Sequence, residues 1–359
     1  MPLLFQISKR KHQTFKYLRS RFMKSISELF PQLSETRNIA ITMHQKPDPD
    51  AMGSALGLYH FLQQLGHTVT VVSPTNWADF LDWMPGRDKV LDYENYKQRE
   101  KADTVLANAQ WLFCLDFNTI SRTRNMAPTI KNLKCIKLLI DHHQQPEEDS
   151  FDFGISDTTK SSTSEMVYDF IVASGHADTI NIEIAECLYA GVIGDTGSFR
   201  YPSASASLHR MVAALKEKGL RHTPVHDNIY DNYLENRLRF IGHVLQNRME
   251  ILYEFNTALI AVPKSDLIKY EIKTGDTEGL VNFPLSIQGI KLAAIVIDRD
   301  EERKWSFRSK GDFDVNAFAR EYFNGGGHFS ASGGRSYDSL DKTVQKFKQV
   351  LKENASQLQ

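Results

Sequence analysis

The sequence predicts a two-domain α/β protein, with a doubly wound, mainly parallel sheet first and a smaller α+β domain after it. Short β-rich runs alternate with helical patterns from residue 38 to about 220, and neighbouring parallel strands require such crossover connections. The chain has 359 residues, of which 41% are hydrophobic and 24% charged, enough for two separate cores. We expect a cleft between the two domains.

The first domain begins with a strand, a helix and a second strand. The run "NIAITMH" predicts a buried strand, "DAMGSALGLYHFLQQLG" a helix that ends at Gly66, and "HTVTVVSP" the next strand. Two later runs, "QWLFCLD" and "IKLLID", are also typical of buried strands. Helical patterns follow at about 161–174, 181–193 and 205–219.

A junction and a second domain follow residue 222. The segment "HTPVHDNIYDNYLENRLRFIGHVLQNRMEILYE" begins with the cap-like Thr223 and Pro224 and predicts one long helix or two. Its apolar positions fit either a homodimer contact or the domain's own core. Strands are predicted at "TALIAVP", "IKLAAIVID" and "KWSFRSKG", and helices at "VNAFAREYF" and "LDKTVQKFKQVLKENA". The predicted divisions are 1–34, a basic helical extension; 35–222, the first domain; 223–247, a helical linker; and 248–359, the second domain.

Composition excludes several classes of function. The formal net charge of -1 provides no global positive field, so any nucleic-acid ligand is expected to be short. The cysteines Cys114, Cys135 and Cys187 lie in apolar runs and are expected to be reduced. No stretch approaches the roughly 20 apolar residues of a membrane-spanning helix. We therefore expect a cytoplasmic protein that does not bind membranes, with the basic stretch 9–24 as a solvated extension.

The stretch "MHQKPDPDAMGS", residues 43–54, concentrates charge at the end of the first strand. Pro49 disfavours the helical state at Asp48, and alternation along an extended segment then predicts that the Asp48 and Asp50 carboxylates lie together. Two such anions repel unless a cation lies between them, and His44 can supply a neutral ligand. The alternative is that Asp48 or Asp50 only caps the helix and His44 is a surface residue.

Similar groups recur at the ends of later segments. Asp116 ends "QWLFCLD", the run Asp141, His142 and His143 ends "IKLLID", and Asp195 lies in "GVIGDTGSFRY". Ligands of open α/β sheets gather at the carboxyl ends of the strands. Carboxylates and imidazoles without thiolates favour Mn²⁺ or Mg²⁺ over structural zinc, with Asp116 able to bridge two ions. The predicted ligands are His44, Asp48, Asp50, Asp116, His142 and Asp195.

The second domain carries a candidate phosphate-binding surface. In "NGGGHFSASGG" the glycines allow backbone amides to form an anion-binding concavity beside His328, or the run is a flexible loop with Gly325 as a helix cap. In "WSFRSKG" strand alternation places Ser306 and Arg308 on one face. A guanidinium binds phosphate through two hydrogen bonds, which favours the first interpretation.

These motifs, in this order, resemble the four motifs of the DHH phosphoesterase superfamily. The run "WSFRSKGDFDVNAFAREYFNGGGHFSASGG" resembles the DHH-associated domain of the GGGH type. The resemblance implies a first metal held by His44, Asp48 and Asp116 and a second held by Asp50, Asp116, His142 and Asp195. It further implies that Asp141 supports a metal-bound histidine and that His143 faces the substrate phosphate. The implied anchor for the remote end of a nucleotide consists of Arg308, with Ser306 beside it, Gly326, Gly327 and His328.

The implied activity is that of a two-metal phosphodiesterase and phosphatase using Mn²⁺, or else Mg²⁺. The two-domain build resembles the bifunctional oligoribonuclease and pAp phosphatase group, which degrades very short oligoribonucleotides to mononucleotides and dephosphorylates adenosine 3',5'-bisphosphate. Hydrolysis of cyclic di-AMP or pApA is the alternative within the same chemistry. The GGGH run disfavours an inorganic pyrophosphatase, and the complete ligand set disfavours a non-catalytic nucleotide sensor.

Overall fold

The computed structural model describes residues 23–273, 275–299 and 302–359. They form two domains, and each is built on its own sheet. Most of the basic stretch 9–24 lies outside the described residues. Within the described ranges, none of the helices combines the length and the apolar character needed to cross a bilayer.

The first domain is built on a parallel sheet, as predicted. Among the described residues, its seven strands lie in the order β1-β7-β6-β5-β2-β3-β4, and every strand pair is parallel. All four predicted strands are confirmed, and the additional strands β1, β4 and β7 are short. The strands are β1 (Lys24–Ser25), β2 (Asn38–Thr42), β3 (Thr68–Ser73), β4 (Leu91–Asp92), β5 (Trp111–Leu115), β6 (Ile136–Asp141) and β7 (Phe153–Ser156).

Helices cover both faces of this sheet. Apolar side chains of α1, α4 and α5 pack on one face, and those of α2 and α3 pack on the other. The chain winds outward from β2 to β4, returns to β5 beside β2, and continues outward to β6 and β7. The helices are α1 (Pro49–Gln64), α2 (Tyr96–Asn108), α3 (Ala127–Asn132), α4 (Thr163–Ala173), α5 (Ile182–Asp195), α6 (Ala206–Glu217) and α7 (His222–Tyr230).

Helices α1 and α5 approach closely because of a glycine. A Cβ atom on Gly53 would clash with the carbonyl oxygen of Cys187 and lie 3.0 Å from the amide nitrogen of Gly191. Both groups belong to the backbone of α5, so neither can move aside as a flexible side chain would. The absence of a side chain at Gly53 is therefore a requirement of the helix pair that carries Asp50 and Asp195.

We expect Gly53→Ala to destabilise the first domain by about 1–3 kcal/mol, because overpacking against rigid backbone forces the helices apart. The midpoint of thermal unfolding, followed by circular dichroism, should fall by several degrees. Gly242→Ala is the matched control. Gly242 lies in a helix where an added Cβ atom would meet nothing within 4 Å, so alanine there should be neutral or stabilise the protein by up to about 1 kcal/mol. Equal midpoints for the two variants would contradict the packing argument.

The second domain has a mixed sheet, in the order β12-β13-β11-β10-β9-β8. Strands β9 and β10 are parallel, and the other neighbouring pairs are antiparallel. The strands are β8 (Met249–Leu252), β9 (Thr257–Val262), β10 (Leu292–Asp298), β11 (Arg303–Ser309), β12 (Gly326–His328) and β13 (Ala331–Ser336). The helices are α8 (Glu235–Asn247), α9 (Lys264–Lys269), α10 (Asn282–Leu285), α11 (Val315–Tyr322), α12 (Leu340–Glu353) and α13 (Ala355–Leu358).

The junction contains two helices that belong to different domains. Val225 and Ile229 of α7 pack in the first core, whereas Phe240 and Val244 of α8 pack on the second sheet. Strand β8 follows at once, so the end of the predicted helical segment is a strand.

One local expectation in these regions was wrong. Helix α7 begins at His222 with Arg221 before it, so Thr223 does not cap the helix. Residues 26–34 form a 3₁₀ helix whose Ile26, Leu29 and Leu33 are buried in the first core, so the first domain begins before residue 35.

Candidate metal centre

The predicted metal ligands of the first domain converge at one edge of its sheet. Strands β2, β5 and β6 are neighbours, and their carboxyl ends lead to His44, Asp116 and Asp141. The chain reverses its winding direction between β2 and β5, and such a switch point opens a crevice between the loops that leave adjacent strands. The ends of α1 and α5 bring in Asp50 and Asp195.

The first group of donors consists of His44, Asp48 and Asp116, as predicted. The His44 Nε2 atom lies 3.3 Å from Asp116 Oδ2 and 3.6 Å from Asp48 Oδ2. The other oxygen of Asp48 accepts hydrogen bonds from the amides of Asp50 and Ala51, both at 3.0 Å. Asp48 therefore caps α1 and faces His44 at the same time, so the two interpretations of this residue hold together.

The second group consists of Asp50, His142 and Asp195, with Asp116 beside them. The His142 Nε2 atom lies 3.2 Å from Asp195 Oδ2, 3.4 Å from Asp116 Oδ1 and 3.8 Å from Asp50 Oδ2. Three of these residues are at least nine-tenths buried, and Asp195 is partly open to the cleft. The ligand atoms of each group lie within 4.8 Å of one another.

Asp116 joins the two groups. Its Oδ2 atom faces His44 and its Oδ1 atom faces His142. The residue has a left-handed backbone conformation with φ of 61°, which aspartate and asparagine tolerate better than most residues. The hydroxyl of Thr163 donates to Asp116 Oδ1 at 3.0 Å and fixes the carboxylate plane. This arrangement is the one required of a carboxylate that bridges two ions.

Asp50 is positioned by a helix and not by strand alternation. It lies in the first turn of α1, so the expectation that Asp48 and Asp50 point to the same side of an extended segment was wrong. Its two oxygens accept hydrogen bonds from the amides of Thr163, at 2.7 Å, and Ser164, at 2.9 Å. These amides open α4, where unpaired N–H groups and the helix dipole favour a negative charge.

Asp141 supports His143 rather than His142. The Nδ1 atom of His143 lies 2.7 Å from Asp141 Oδ1, and Asp141 is fully buried. Residues two apart on an extended strand end point to the same side, whereas His142 points to the other. Asp141 was predicted to support a metal-bound histidine. It instead contacts His143, the histidine that is expected to face the substrate phosphate.

The second domain closes over this edge. The His328 ring stacks on the His143 ring, with centroids 4.7 Å apart and planes at 27°. Asn316 donates from Nδ2 to Gln144 Oε1 at 3.0 Å, which adds a polar contact between the domains. Burial, together with the nearby His142 and His143, lowers the pKa of His328 to about 3, so His328 is a neutral donor or acceptor at the cleft.

The GGGH run is neither a loose loop nor an amide cradle. Gly326, Gly327 and His328 form β12, which pairs with β13, and a Cβ atom at Gly325 would clash with the carbonyl oxygen of Gly333. The amide of Gly327 donates to Asn316 Oδ1 at 3.0 Å and is not directed at a ligand. The glycines are thus needed for close strand approach. The expectation that the Gly327 amide helps to bind an anion was wrong.

Ser306 and Arg308 lie on the face of β11 opposite the core, as predicted. Trp305 and Phe307 are fully buried, while Ser306 and Arg308 remain half-buried. Arg308 pairs in register with Ala331, which pairs with His328. Ser306, Arg308 and His328 therefore share the polar face that closes over the metal groups.

Comparison with known proteins agrees with this architecture. Residues 38–192 match the model of the DHH family N-terminal domain, and residues 257–356 match the DHHA1 domain. A crystal structure of an exopolyphosphatase-related protein from Bacteroides fragilis is 39% identical, with a TM-score of 0.87, and the match covers 92% of this chain and 96% of that one. The chain belongs to the DHH family of phosphoesterases.

Two curated relatives of this DHH-family chain have names that state an activity on nucleotides. The bifunctional oligoribonuclease and PAP phosphatase NrnA of Bacillus subtilis is 29% identical over 91% of this chain and 99% of its own length. The cyclic-di-AMP phosphodiesterase GdpP of Bacillus subtilis is 25% identical over 89% of this chain, but the match spans only 48% of GdpP. The first relative thus has the same extent as this chain, and the second is a larger protein.

The electrostatics of the DHH-family site fit divalent cations. Burial and the negative charges of Asp116 and Asp195 raise the pKa of Asp50 well above its usual range. Burial alone would lower the pKa of His44, but the adjacent carboxylates of Asp116 and Asp48 raise it to about 10. The His142 Nε2 atom is buried near two carboxylates without an aligned hydrogen bond to either. Carboxylate oxygens and imidazole nitrogens that converge in this way require a positive charge between them. Divalent cations supply that charge and bind oxygen-rich sets of ligands.

The residues that hydrogen-bond to the carboxylates of Asp50 and Asp116 were not predicted from the sequence. Thr163 and Ser164 between them contact both carboxylates, yet neither carries a charge or belongs to a metal-ligand pattern. The signal that marks them is the capping box "STSE", in which Ser162 accepts from the Glu165 amide at 3.0 Å. A helix start that follows a parallel strand places free amides at the ligand-binding edge. Asn316 and Gln144 carry no such signal.

Proposed function

We propose that this protein is a metal-dependent phosphodiesterase and phosphatase that degrades very short oligoribonucleotides to mononucleotides and dephosphorylates adenosine 3',5'-bisphosphate. One observation carries the proposal: the donor cluster and the polar face of the second domain form opposite walls of one cleft, in contact through His143 and His328. The curated relative of equal extent has the name of such a bifunctional enzyme.

Two divalent ions are proposed for the cleft, one at each donor group, with Mn²⁺ preferred and Mg²⁺ the alternative. His44, Asp48 and Asp116 would hold the first, and Asp50, Asp116, His142 and Asp195 the second. Such a pair lowers the pKa of a coordinated water and stabilises the charge that develops on phosphate oxygens. The carboxylates and imidazoles match this use because none of the donors is a thiolate.

The remaining side chains position the substrate. Asp141 fixes the ring of His143 through Nδ1, which directs the opposite nitrogen away from the buried carboxylate. We propose that His143, with both ring nitrogens protonated, donates from that nitrogen to the phosphate under attack. Arg308, Ser306 and His328 bind the remote end of the nucleotide on the facing wall. A ligand held at both walls is aligned for attack, which reduces the entropy cost of reaction.

The proposed substrates are short because the cleft is bounded on both sides. The second domain touches the first at His328 and again where Asn282 donates to the hydroxyl of Tyr201 at 3.3 Å. The net charge of -1 offers no extended electrostatic surface for a long polymer. Cys114, Cys135 and Cys187 are unpaired, which fits action in the reducing cytoplasm. A homodimer stays a proposal, with Leu234 and Leu238 as the exposed apolar positions of the junction.

A substrate panel tests the proposal. We expect the purified protein with Mn²⁺ to release mononucleotides from pGpG and pApA and inorganic phosphate from pAp, as measured by chromatography. Cyclic di-AMP should react at least about tenfold more slowly in kcat/KM, because a ring has no free end for the facing wall. A long single-stranded RNA is the control and should stay intact. Preferred cleavage of cyclic di-AMP would support the alternative function, and degradation of the long strand alone would reject the proposal.

A further inference from the structure

Three histidine rings from the two domains meet in the cleft. His142 and His143 follow β6 of the first domain, and His328 ends β12 of the second. The ring centroids are 4.8 Å apart between His142 and His143, 4.8 Å apart between His142 and His328, and 4.7 Å apart between His143 and His328. Each ring therefore lies against both of the others. We call these three residues the histidine triangle.

The nitrogens of the histidine triangle converge as well as its rings. One ring nitrogen from each residue lies within 4.8 Å of the other two, and His142 is buried while His143 and His328 are half-buried. A tetrahedral zinc ion with Zn–N bonds of about 2.0–2.1 Å needs nitrogens roughly 3.3 Å apart. Each nitrogen has to move by less than about 1 Å to reach that separation. Small rotations of the side chains are enough to enclose such an ion.

The surroundings of two of the rings suit metal ligands. The Nδ1 atom of His143 lies 2.7 Å from Asp141 Oδ1, and a metal-bound histidine usually donates its other ring N–H to a carboxylate in this way. This pairing leaves the Nε2 atom of His143 for a ligand in the cleft. Within the described part of the chain, the ring of His328 makes no hydrogen bond or ion pair, and its contacts are the two other rings. A metal ion would satisfy that polar group.

A single side chain holds the two halves of the histidine triangle together. Asn316 donates from Nδ2 to Gln144 Oε1 at 3.0 Å and accepts at Oδ1 from the Gly327 amide, also at 3.0 Å. Gln144 follows His143 in the chain, and Gly327 precedes His328. Asn316 is itself buried. The rings are therefore positioned across the domain boundary before any ion binds.

We propose that the histidine triangle binds one Zn²⁺ ion, which links the two domains and inhibits the enzyme. Three imidazoles without a carboxylate among them favour zinc over Mn²⁺ or Mg²⁺, which prefer oxygen ligands. The site is distinct from the two donor groups, because His143 and His328 belong to neither of them. His142 does belong to the second group. The zinc ion therefore competes for this ring, or repels the cation bound on its other side.

The inhibitory effect rests on the proposed function, whereas the zinc site itself does not. In that function His143 donates a hydrogen bond to the phosphate under attack, and His328 binds the remote end of the nucleotide. A ring nitrogen that coordinates zinc has lost its proton and uses its lone pair, so it can no longer donate. Zinc on both rings thus removes two contacts to the substrate.

Zinc binding in saturating Mn²⁺ tests the site, with a chromophoric chelator as the competitor. We expect the native chain to hold one more tight equivalent of Zn²⁺ than His328→Gln. The Kd for that ion should rise at least about a hundredfold in the variant, since even the partner of a metal ligand contributes up to that factor. His143→Gln removes a ligand from the other domain and should lose the same equivalent. Asp116→Asn weakens the donor groups but should retain it, as should His209→Gln, which replaces an exposed histidine of α6.

Native zinc affinity in either His328→Gln or His143→Gln would overturn the proposal, and so would loss of the equivalent in Asp116→Asn. Turnover of pGpG with Mn²⁺ is the second readout. Zinc should inhibit the native chain at concentrations near the measured Kd and should inhibit the residual activity of His328→Gln only at higher concentrations. Equal inhibition of the two would contradict the inhibitory role. Failure of the proposed function is distinguishable, because it would appear as an absence of turnover, whereas the zinc equivalents are counted without substrate.

Discussion

Asp116→Asn is expected to lower kcat for every substrate by at least about a hundredfold. Replacing a residue that only supports a metal ligand can already lower activity by that factor, and Asp116 is proposed to bind metal directly. Asp116 is the residue whose two oxygens face both donor groups, at 3.3 Å from His44 and 3.4 Å from His142. An amide keeps the shape but removes the charge and one of the two acceptor oxygens. Asparagine also suits φ of 61°, so the substitution should not strain the backbone as alanine would.

Steady-state kinetics on pGpG and direct measurement of bound Mn²⁺ check this expectation together. The variant should retain fewer equivalents of metal and an unchanged far-ultraviolet circular dichroism spectrum. Asp149→Asn is the matched control, because Asp149 is an exposed acid of the same domain, in the 3₁₀ turn that precedes β7. A variant of Asp116 with native turnover would exclude this carboxylate from the reaction and would favour another centre.

Removal of divalent metal is expected to destabilise the first domain strongly. Asp50, Asp116 and His142 are nearly or fully buried, and burial with the Asp116 and Asp195 charges raises the pKa of Asp50 well above its usual range. An ion that binds only the folded state at one hundred times its Kd adds about 2.7 kcal/mol to the free energy of unfolding. For a domain of this size each kcal/mol shifts Tm by about 2–4 °C. We therefore expect Mn²⁺ to raise Tm by roughly 5–11 °C relative to EDTA.

Differential scanning calorimetry measures this shift, and Mg²⁺ titrated in the same way ranks the two metals. The increase should be much smaller in Asp116→Asn, where the bridging carboxylate is lost. It should persist in Lys352→Gln, whose exposed position lies on the second domain, away from the donor groups. An identical Tm with Mn²⁺, Mg²⁺ and EDTA would mean that the buried acids are stabilised without metal.

Motif spacing grouped the candidate donors because three of them, His44, Asp116 and His142, follow the ends of strands. His44, Asp116 and His142 each follow an apolar run too short and too β-rich to be a helix, and the sheet brings such ends to one edge. The sequence did not predict which of the site residues contact one another. Asp141 contacts His143 because the chain stays extended beyond the end of β6, so that these two side chains point to the same side. The residue types alone do not show how far the extended conformation continues.

In the second domain, the conformation of the GGGH run also could not be predicted from the sequence. The spacing of glycines is equally compatible with a loop, a cradle for anions and a strand that packs closely on its neighbour. Its pairing with β13 and the bond from Gly327 to Asn316 decide for the strand. Both are contacts between segments whose relative position follows from the assembled domain.

The sequence by itself determined the parallel sheet and grouped the residues that could hold divalent cations, because hydrophobic periodicity and ligand chemistry are local properties of the chain. Only the tertiary structure decided that α4 supports Asp50, that Thr163 hydrogen-bonds to Asp116, and that His328 stacks on His143. These relations join residues far apart in the chain. They depend on how closely helices and domains pack, which is set by many weak contacts acting together.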